Sequence, residues 1–443
     1  MTAPSAPSPG WFEQIYALPR FAPEPGLSRF EALCGPLFDS SWWRGLDAIK
    51  VTGSSGKGTV ALLTSAILDA AGISTGTNTS PHLRRFEERI RLGASEVGSP
   101  ELAEAWSWLA PRIANASEAP LAFEAMTALA LRVFSQARPD AVVAEVGIGG
   151  RHDPVRRIPG RLAVLVSLDL EHTSILGKTL EEIAEDKADL AEEGGELLVG
   201  SVGERLLDHI RRHAARRDVE VTALSQVATW SEPVRTPQGM RFDLEVEDLG
   251  LESLDLGLVG VHQIENATLA VLAAKRWIEG QARRGDLEAA VRRALVAPEI
   301  PGRFERIARD PEVWIDVGHT PAAVRAVRDT ASWAFAGRPI LLVLAVSHDK
   351  DAQGIARTLA PVADRVICTR AHHRGGAVER VSEPVAALGK PFEVVEPVAE
   401  AMENALAEAR RDGMVVLVAG GLFLAIEAAE ILADRDPRRL RFY

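Results

Sequence analysis

Val51-Thr52-Gly53-Ser54-Ser55-Gly56-Lys57-Gly58-Thr59 is the segment of this sequence best suited to chemistry. It follows a short apolar run and opens a helical one over 60–71. A Gly-rich turn there exposes backbone N–H groups at a helix N-terminus, where the helix dipole also favours phosphate. Lys57 can reach terminal phosphates, and Thr59 can face Mg²⁺. The spacing departs from the commonest P-loop, because Val51 stands where that loop has its first glycine. The bland alternative is a turn whose glycines only pack a helix on a strand.

Three more constellations gain weight from their company. Thr79-Ser80-Pro81-His82-Leu83, followed by a basic stretch over 84–90, reads alone as a solvated loop. Glu145-Val146-Gly147-Ile148-Gly149-Gly150-Arg151 ends an apolar run, with Asp153 just beyond. The carboxyl ends of parallel strands are where α/β proteins place ligand groups, so Glu145 fits a metal or phosphate role; a plain turn using its glycines for positive φ is the competing reading. Ser167-Leu168-Asp169-Leu170-Glu171-His172-Thr173 also follows an apolar run, and His172 after a phosphate loop and a strand-end Glu suits an Mg²⁺ ligand. Lys187, within a helical pattern over 179–190, would by itself be solvated.

The elements that must position these residues read as α/β. Apolar runs at 48–52, 141–146, 162–167, 340–346 and 414–418 alternate with amphipathic stretches, the pattern of βαβ units in a largely parallel sheet. Residues 223–259 change to short alternating pieces, a small antiparallel excursion. The stretch 297–303, with Pro298, Pro301 and Gly302, is the candidate linker, after which a second series of βαβ units begins. A chain of 443 residues exceeds the usual size of one core, so two domains are expected. The Ala-, Pro- and Ser-rich start has neither a basic head nor an apolar run, and residues 1–26 are expected to be a flexible leader. The apolar stretch 414–432 is interrupted by Gly420, Gly421, Glu427 and Glu430, so no membrane span is expected.

A net charge of -12 disfavours nucleic acid as the main partner. Cys34 and Cys368 are too few for a disulfide framework and lack metal-ligand spacing, which suits a reducing cytoplasm.

Taken in order, these motifs resemble the folylpolyglutamate synthase and dihydrofolate synthase branch of the Mur ligase superfamily, from about Leu27 to Ile431. Family members carry a Gly-Thr-Asn-Gly-Lys-Gly-Ser loop, matched by Gly53 to Thr59, a Thr-Ser-Pro-His-Leu loop, reproduced by Thr79 to Leu83, and Glu-Val-Gly-Leu-Gly-Gly-Arg, matched by Glu145 to Arg151. The resemblance implies an N-terminal P-loop ATPase-like domain with a mostly parallel sheet (27–297) and a smaller C-terminal Rossmann-like α/β domain (301–443). It implies an ATP-dependent acid–amino-acid ligase, working through an acyl phosphate on a small carboxylic acid and an amino acid or amine, most often as a monomer.

Residue by residue, the resemblance places Gly53, Ser54, Ser55, Gly56, Lys57, Gly58 and Thr59 around the ATP phosphates and Mg²⁺, and Ser80, Glu145 and His172 on a second Mg²⁺. Lys187 lines up with a lysine that is carbamylated in many members, which would turn a cation into an oxygen donor. Asn266, in His262-Gln263-Ile264-Glu265-Asn266, would approach the adenine, Arg303 the phosphates and Asp316 the ribose. His319 would lie near the reacting groups. His82, Phe86, Glu87, Arg89, Arg151, Thr320, Lys350 and Gly421 would line the substrate side.

The departures fall on that side. Thr320 replaces the usual Asn, Glu87 stands where Asn is usual, and the family's Gly-Ser-Leu-Tyr is here Gly420-Gly421-Leu422-Phe423. Beside a folate-type glutamate ligase, two readings therefore compete: a specialised amide ligase with another acid and amine, and a nucleotide-binding regulator that has lost ligation. Joint retention of Lys57, Glu145, His172, Lys187, Arg303, Asp316 and His319 argues against the last.

Overall fold

The computed structural model describes residues 10–21, 26–281 and 286–441. Its first sheet holds β1 (Ile49–Thr52), β2 (Thr75–Asn78), β3 (Ile90–Leu92), β4 (Ser95–Glu96), β5 (Ala141–Glu145), β6 (Leu162–Leu165), β7 (Glu196–Val199) and β8 (Glu220–Ala223). Their order is β4-β3-β2-β5-β1-β6-β7-β8, parallel from β2 to β8, with β3 and β4 antiparallel at one edge. The central strands are buried on both faces, which is why they read as unbroken apolar runs. Alternate residues serve opposite layers. Ile49, Val51, Val143 and Val164 pack on the helices Lys57–Ala70, Val261–Gly280 and Leu287–Leu295, whereas Val142, Ala144, Ala163 and Leu165 pack on Ser28–Phe38, Ser99–Ala114 and Ala122–Ala137.

The antiparallel excursion is a separate small sheet of β9 (Ala228–Trp230), β10 (Val234–Arg235), β11 (Met240–Val246) and β12 (Leu249–Leu256). Every second residue of β11 is buried, and these residues join the same core as the helix Lys57–Ala70.

Between the helix Leu287–Leu295 and β13 (Glu305–Arg309) the chain forms no helix or strand. The second large sheet then assembles β14 (Glu312–Ile315), β15 (Ile340–Leu344), β16 (Arg365–Cys368), β17 (Phe392–Val394) and β18 (Val415–Ala419) in the order β13-β14-β18-β15-β16-β17. It is parallel except for β13, and helices cover both faces. This is the α/β class read from the sequence. Among the described residues, no helix is long and apolar enough to cross a membrane.

The leader is corrected in part. Trp11–Tyr16 form a helix whose Trp11 and Ile15, four residues apart, are buried, with the Trp11 ring edge-on to Phe86 at 5.1 Å. The Ala-, Pro- and Ser-rich composition belongs to residues 1–9, which lie outside the described residues, as do 22–25.

Candidate active site

The loop after β1 is wedged between two other elements. A Cβ on Gly53 (φ 149°) would lie 3.0 Å from the Ser167 nitrogen, and one on Gly56 (φ 83°) 2.6 Å from Asn266 Oδ1, so both positions require glycine. Ser54 N–H donates to the Ser167 carbonyl and Ser55 N–H to Ser167 Oγ, each at 2.9 Å. Gly56 then caps the helix Lys57–Ala70 without any side-chain acceptor, which leaves its first N–H groups available to an anion. Lys57 folds back over the loop, its Nζ 2.9 Å from the Gly53 carbonyl. Thr59 Oγ1 is buried with no hydrogen-bond partner among the described residues, the state of a hydroxyl waiting for a ligand oxygen or a cation.

Glu145, at the end of neighbouring β5, stands opposite Val51 and faces the same loop. Its Oε2 accepts Ser80 N–H at 2.7 Å and would lie 3.3 Å from a Cβ on Gly58. Burial pushes its carboxyl up; Lys57, the Ser80 N–H, Arg303 and Arg89 pull the other way. Arg303 stands at the far end of the linker segment, where the second domain begins, so both halves of the chain contribute charge here.

The glycine run after Glu145 is bolted down by carboxylates. Asp153 accepts N–H groups from Gly147 (2.9 Å), Ile148 (3.3 Å) and Val155 (2.9 Å), and burial pushes it up to about 7 against those donors. Asp186 accepts Gly150 N–H at 2.9 Å, and the Phe123 ring lies where a Gly147 side chain would go, 2.9 Å away.

Lys187 stands on the helix Leu180–Ala188, opened by the reciprocal Thr179 and Glu182 cap. It is 1% exposed, and its Nζ is 3.0 Å from Glu171 Oε1. Burial and then Lys57 depress the amine, partly offset by Glu171. Burial would raise Glu171, but Lys187 and Lys57 outweigh it and hold that carboxyl low. Glu171 is therefore a central member of the site that the sequence reading passed over. His172, 3.9 Å from Glu171 and at φ 45°, is depressed by burial and by Lys57, Lys350 and Lys187.

In the second domain, Asp316 accepts Phe304 N–H at 2.9 Å and Gly318 N–H at 2.6 Å, so it shapes the loops carrying Arg303 and His319. His319 lies 3.0 Å by Nδ1 from the Val317 carbonyl; Nδ1 must be the donor, which leaves Nε2 unprotonated and able to accept a proton. Thr320 caps the helix Pro321–Ala334, and Asp169 Oδ2 from the first domain accepts Ala322 N–H at 3.3 Å at the start of that helix. The charge of Lys350 acts on both His172 and His319. Asn266 is buried and donates to Gln263 Oε1 at 2.9 Å.

Several residues assigned to the substrate side are committed elsewhere. His82 is buried, its Nδ1 accepting Arg89 Nε–H at 2.7 Å and its Nε2–H donating to the Arg441 carbonyl at 2.9 Å; burial and Arg89 push it down to about 3, so it is a neutral structural imidazole. Phe86 packs on Trp11 rather than facing outward. Glu87 accepts Ser99 Oγ–H at 2.6 Å, and Arg151 pairs with Asp189 at 2.6 Å.

The metal expectation divides likewise. The orphaned Thr59 hydroxyl, next in sequence to the Gly58 that faces Glu145, fits an Mg²⁺ on bound nucleotide. For the second cation, no group of three or more His, Cys, Asp or Glu side chains converges among the described residues, and Lys187 presents an ammonium to Glu171. That set becomes a cation site only if the amine is converted to an oxygen donor.

Residues 51–274 match the Mur ligase middle domain and residues 302–422 the Mur ligase glutamate ligase domain. The chain belongs to the Mur ligase family. Within it the relatives fall in the folylpolyglutamate synthase and dihydrofolate synthase branch. The chain is 31% identical over 395 residues to the dihydrofolate synthase/folylpolyglutamate synthase of Escherichia coli, covering 88% of this chain and 86% of that one. It is 34% identical over 417 residues to a probable bifunctional folylpolyglutamate synthase/dihydropteroate synthase of Halobacterium salinarum, spanning 93% of this chain but only 50% of that relative. Among solved structures, Mycobacterium tuberculosis folylpolyglutamate synthase complexed with ADP and AMPPCP superposes with a TM-score of 0.84 at 29% identity, covering 93% of this chain and 96% of that one. E. coli FolC in complex with DHPP and ADP gives 0.84 at 27% identity, covering 98% and 99%.

Proposed function

We propose that this Mur ligase family chain activates the carboxylate of a pterin-bearing acid with ATP and joins it to glutamate. The observation that carries the reading is the gathering of Lys57, Thr59 and Glu145 around one uncapped helix N-terminus, with the charge of Arg303 from the second domain acting on Glu145. A carboxylate and an ammonium do not condense in water, because oxide is a poor leaving group; phosphorylation makes the acyl carbon reactive. Lys57, Arg303 and the N–H groups of the loop stabilise charge on the transferring phosphoryl group as the substrate carboxylate oxygen attacks phosphorus and ADP departs. Mg²⁺, held by Thr59 with Glu145 behind it, would neutralise further phosphate charge when bound. His319 Nε2 takes a proton from the incoming ammonium; the amine attacks the acyl carbon and phosphate leaves. Because phosphate and amine groups are divided between domains, closure completes the site.

Phosphate release should require dihydropteroate or tetrahydrofolate together with glutamate, with the amide product read by mass. Silence with every pterin acid, while another acid and amine yield product, would establish the specialised-ligase reading, which the missing side chain at Gly421 favours.

A pH prediction follows from His319. Burial, with Lys350 and Arg303, holds its imidazole below the ordinary 6.5. The acid limb of kcat/KM, which reports the free enzyme, should inflect below 6.5, and that parameter should be flat from there to neutrality. His319→Gln should abolish that limb; an inflection above 6.5 would remove His319 from the base role.

A further inference from the structure

In the second sheet the chain leaves β15 for β16 on one side, whereas β18 flanks β15 on the other, so connections diverge at the carboxyl ends of β15 and β18. Crevices of this kind receive ligands in open α/β sheets. The crevice is bounded by Ser347 just after β15 and by Gly420 and Gly421 just after β18.

Gly420 is fixed by its backbone: it sits at φ 117°, and a Cβ there would be 2.7 Å from the Ala345 carbonyl. Gly421 is not. Its φ of 169° is extended backbone open to any residue, and a Cβ would meet nothing nearer than the Ala345 carbonyl and Ser347 Oγ, both at 3.9 Å. The absent side chain therefore leaves space directly against the Ser347 hydroxyl. Ser347 is 9% exposed, and its hydroxyl hydrogen-bonds to no described residue. Its backbone is pinned by a bridge to Gly375 and by His348 N–H on the Arg374 carbonyl at 3.0 Å, so the serine cannot withdraw from the crevice.

The same space opens on the N-terminus of the 11-residue helix Leu422–Leu432, which Gly421 leaves without a side-chain cap. Beyond Phe423, packed on His373 at 6.5 Å, the guanidinium of Arg374 lies 5.8 Å from the ring centre. Glu427, the nearby carboxylate, is occupied by the N–H groups of His372 and His373 at 2.8 Å each. The hydroxyl of a largely buried serine, open helix N–H groups and the Arg374 guanidinium beyond Phe423 together suit a carboxylate.

We infer that Ser347 donates its hydroxyl to a carboxylate of the incoming amino acid, seated on the N-terminus of the helix Leu422–Leu432 in the space that Gly421 leaves empty. This rests on the ligase reading above, and makes Ser347 a specificity-determining residue that supplies from β15 the hydroxyl missing from the loop after β18.

The test is initial-rate kinetics with ATP, a pterin acid and glutamate. Ser347→Ala should raise the glutamate KM roughly tenfold to a hundredfold, as for a lost hydrogen bond to a charged group, and leave the KM of ATP and of the acid unchanged. Adding Gly421→Ser to that variant should return the glutamate KM toward wild type, because the new hydroxyl enters the same space from the opposite wall. A glutamate KM unchanged by Ser347→Ala, or one that rises together with the other two, overturns the assignment alone. A wild-type enzyme that consumes no glutamate with any pterin acid overturns the functional reading and the Ser347 assignment with it.

Discussion

Lys57→Ala should slow glutamate-dependent phosphate release by about a thousandfold, the upper range for losing one preorganised donor on developing charge. Two effects add. The ammonium lies across the loop at Gly53, and no other lysine is on this loop. Lys57 is also the largest influence holding down the carboxyl of buried Glu145. Without it, burial drives Glu145 further toward its protonated form, and a neutral acid is a poor partner for a metal-bound phosphate. Folding should survive, because Lys57 is only half-buried at a helix start and its bond is to a backbone carbonyl of its own loop. Unchanged melting with collapsed turnover is therefore expected, and near-normal phosphate release by Lys57→Ala would refute the phosphate-loop assignment.

The nucleotide half of the site was legible because its signals are local. Gly53 and Gly56 occupy positive φ, the helix after them begins where the apolar period changes, and Glu145 ends a run of residues buried on both faces. Each can be seen within a few residues of chain. The fold class followed from the same runs, since strands covered on both sides cannot alternate.

What escaped were pairings set by tertiary structure. Glu171 and Lys187 are 16 residues apart and meet only because the loop after β6 turns back on the helix Leu180–Ala188. Asp153 reads as a polar residue beyond a glycine run, yet its work is to gather three N–H groups. His82 and Phe86 lie in a loop whose composition suggests solvent, but the helix Trp11–Tyr16 folds over that loop and takes the ring of Phe86 into a core. The Trp11 and Ile15 spacing could have flagged that helix; nothing local to His82 could have shown its imidazole clamped between Arg89 and the Arg441 carbonyl.

A second cation site at Glu171 would depend on the chemical state of Lys187, and Lys187→Ala should lower turnover about a hundredfold. As an ammonium it neutralises Glu171. Its burial beside Lys57 depresses the amine, which raises the fraction of neutral nitrogen able to attack CO₂. The resulting carbamate would stand against Glu171, two like charges in a largely buried place, and that pair is stable only with a cation between them. Carbamylation and cation binding should therefore be linked: each favours the other. In ¹³C-bicarbonate with Mg²⁺ and a nucleotide analogue, wild type should show a carbamate carbon signal that Lys187→Ala lacks and that weakens when Mg²⁺ is chelated. Acetate or propionate should partly restore Lys187→Ala, since a carboxylate can occupy the space and supply the missing oxygens. Rescue by ethylamine in place of acetate, with no carbamate signal in wild type, would instead make Lys187 a structural cation for Glu171 and leave the enzyme with the single cation site at Thr59.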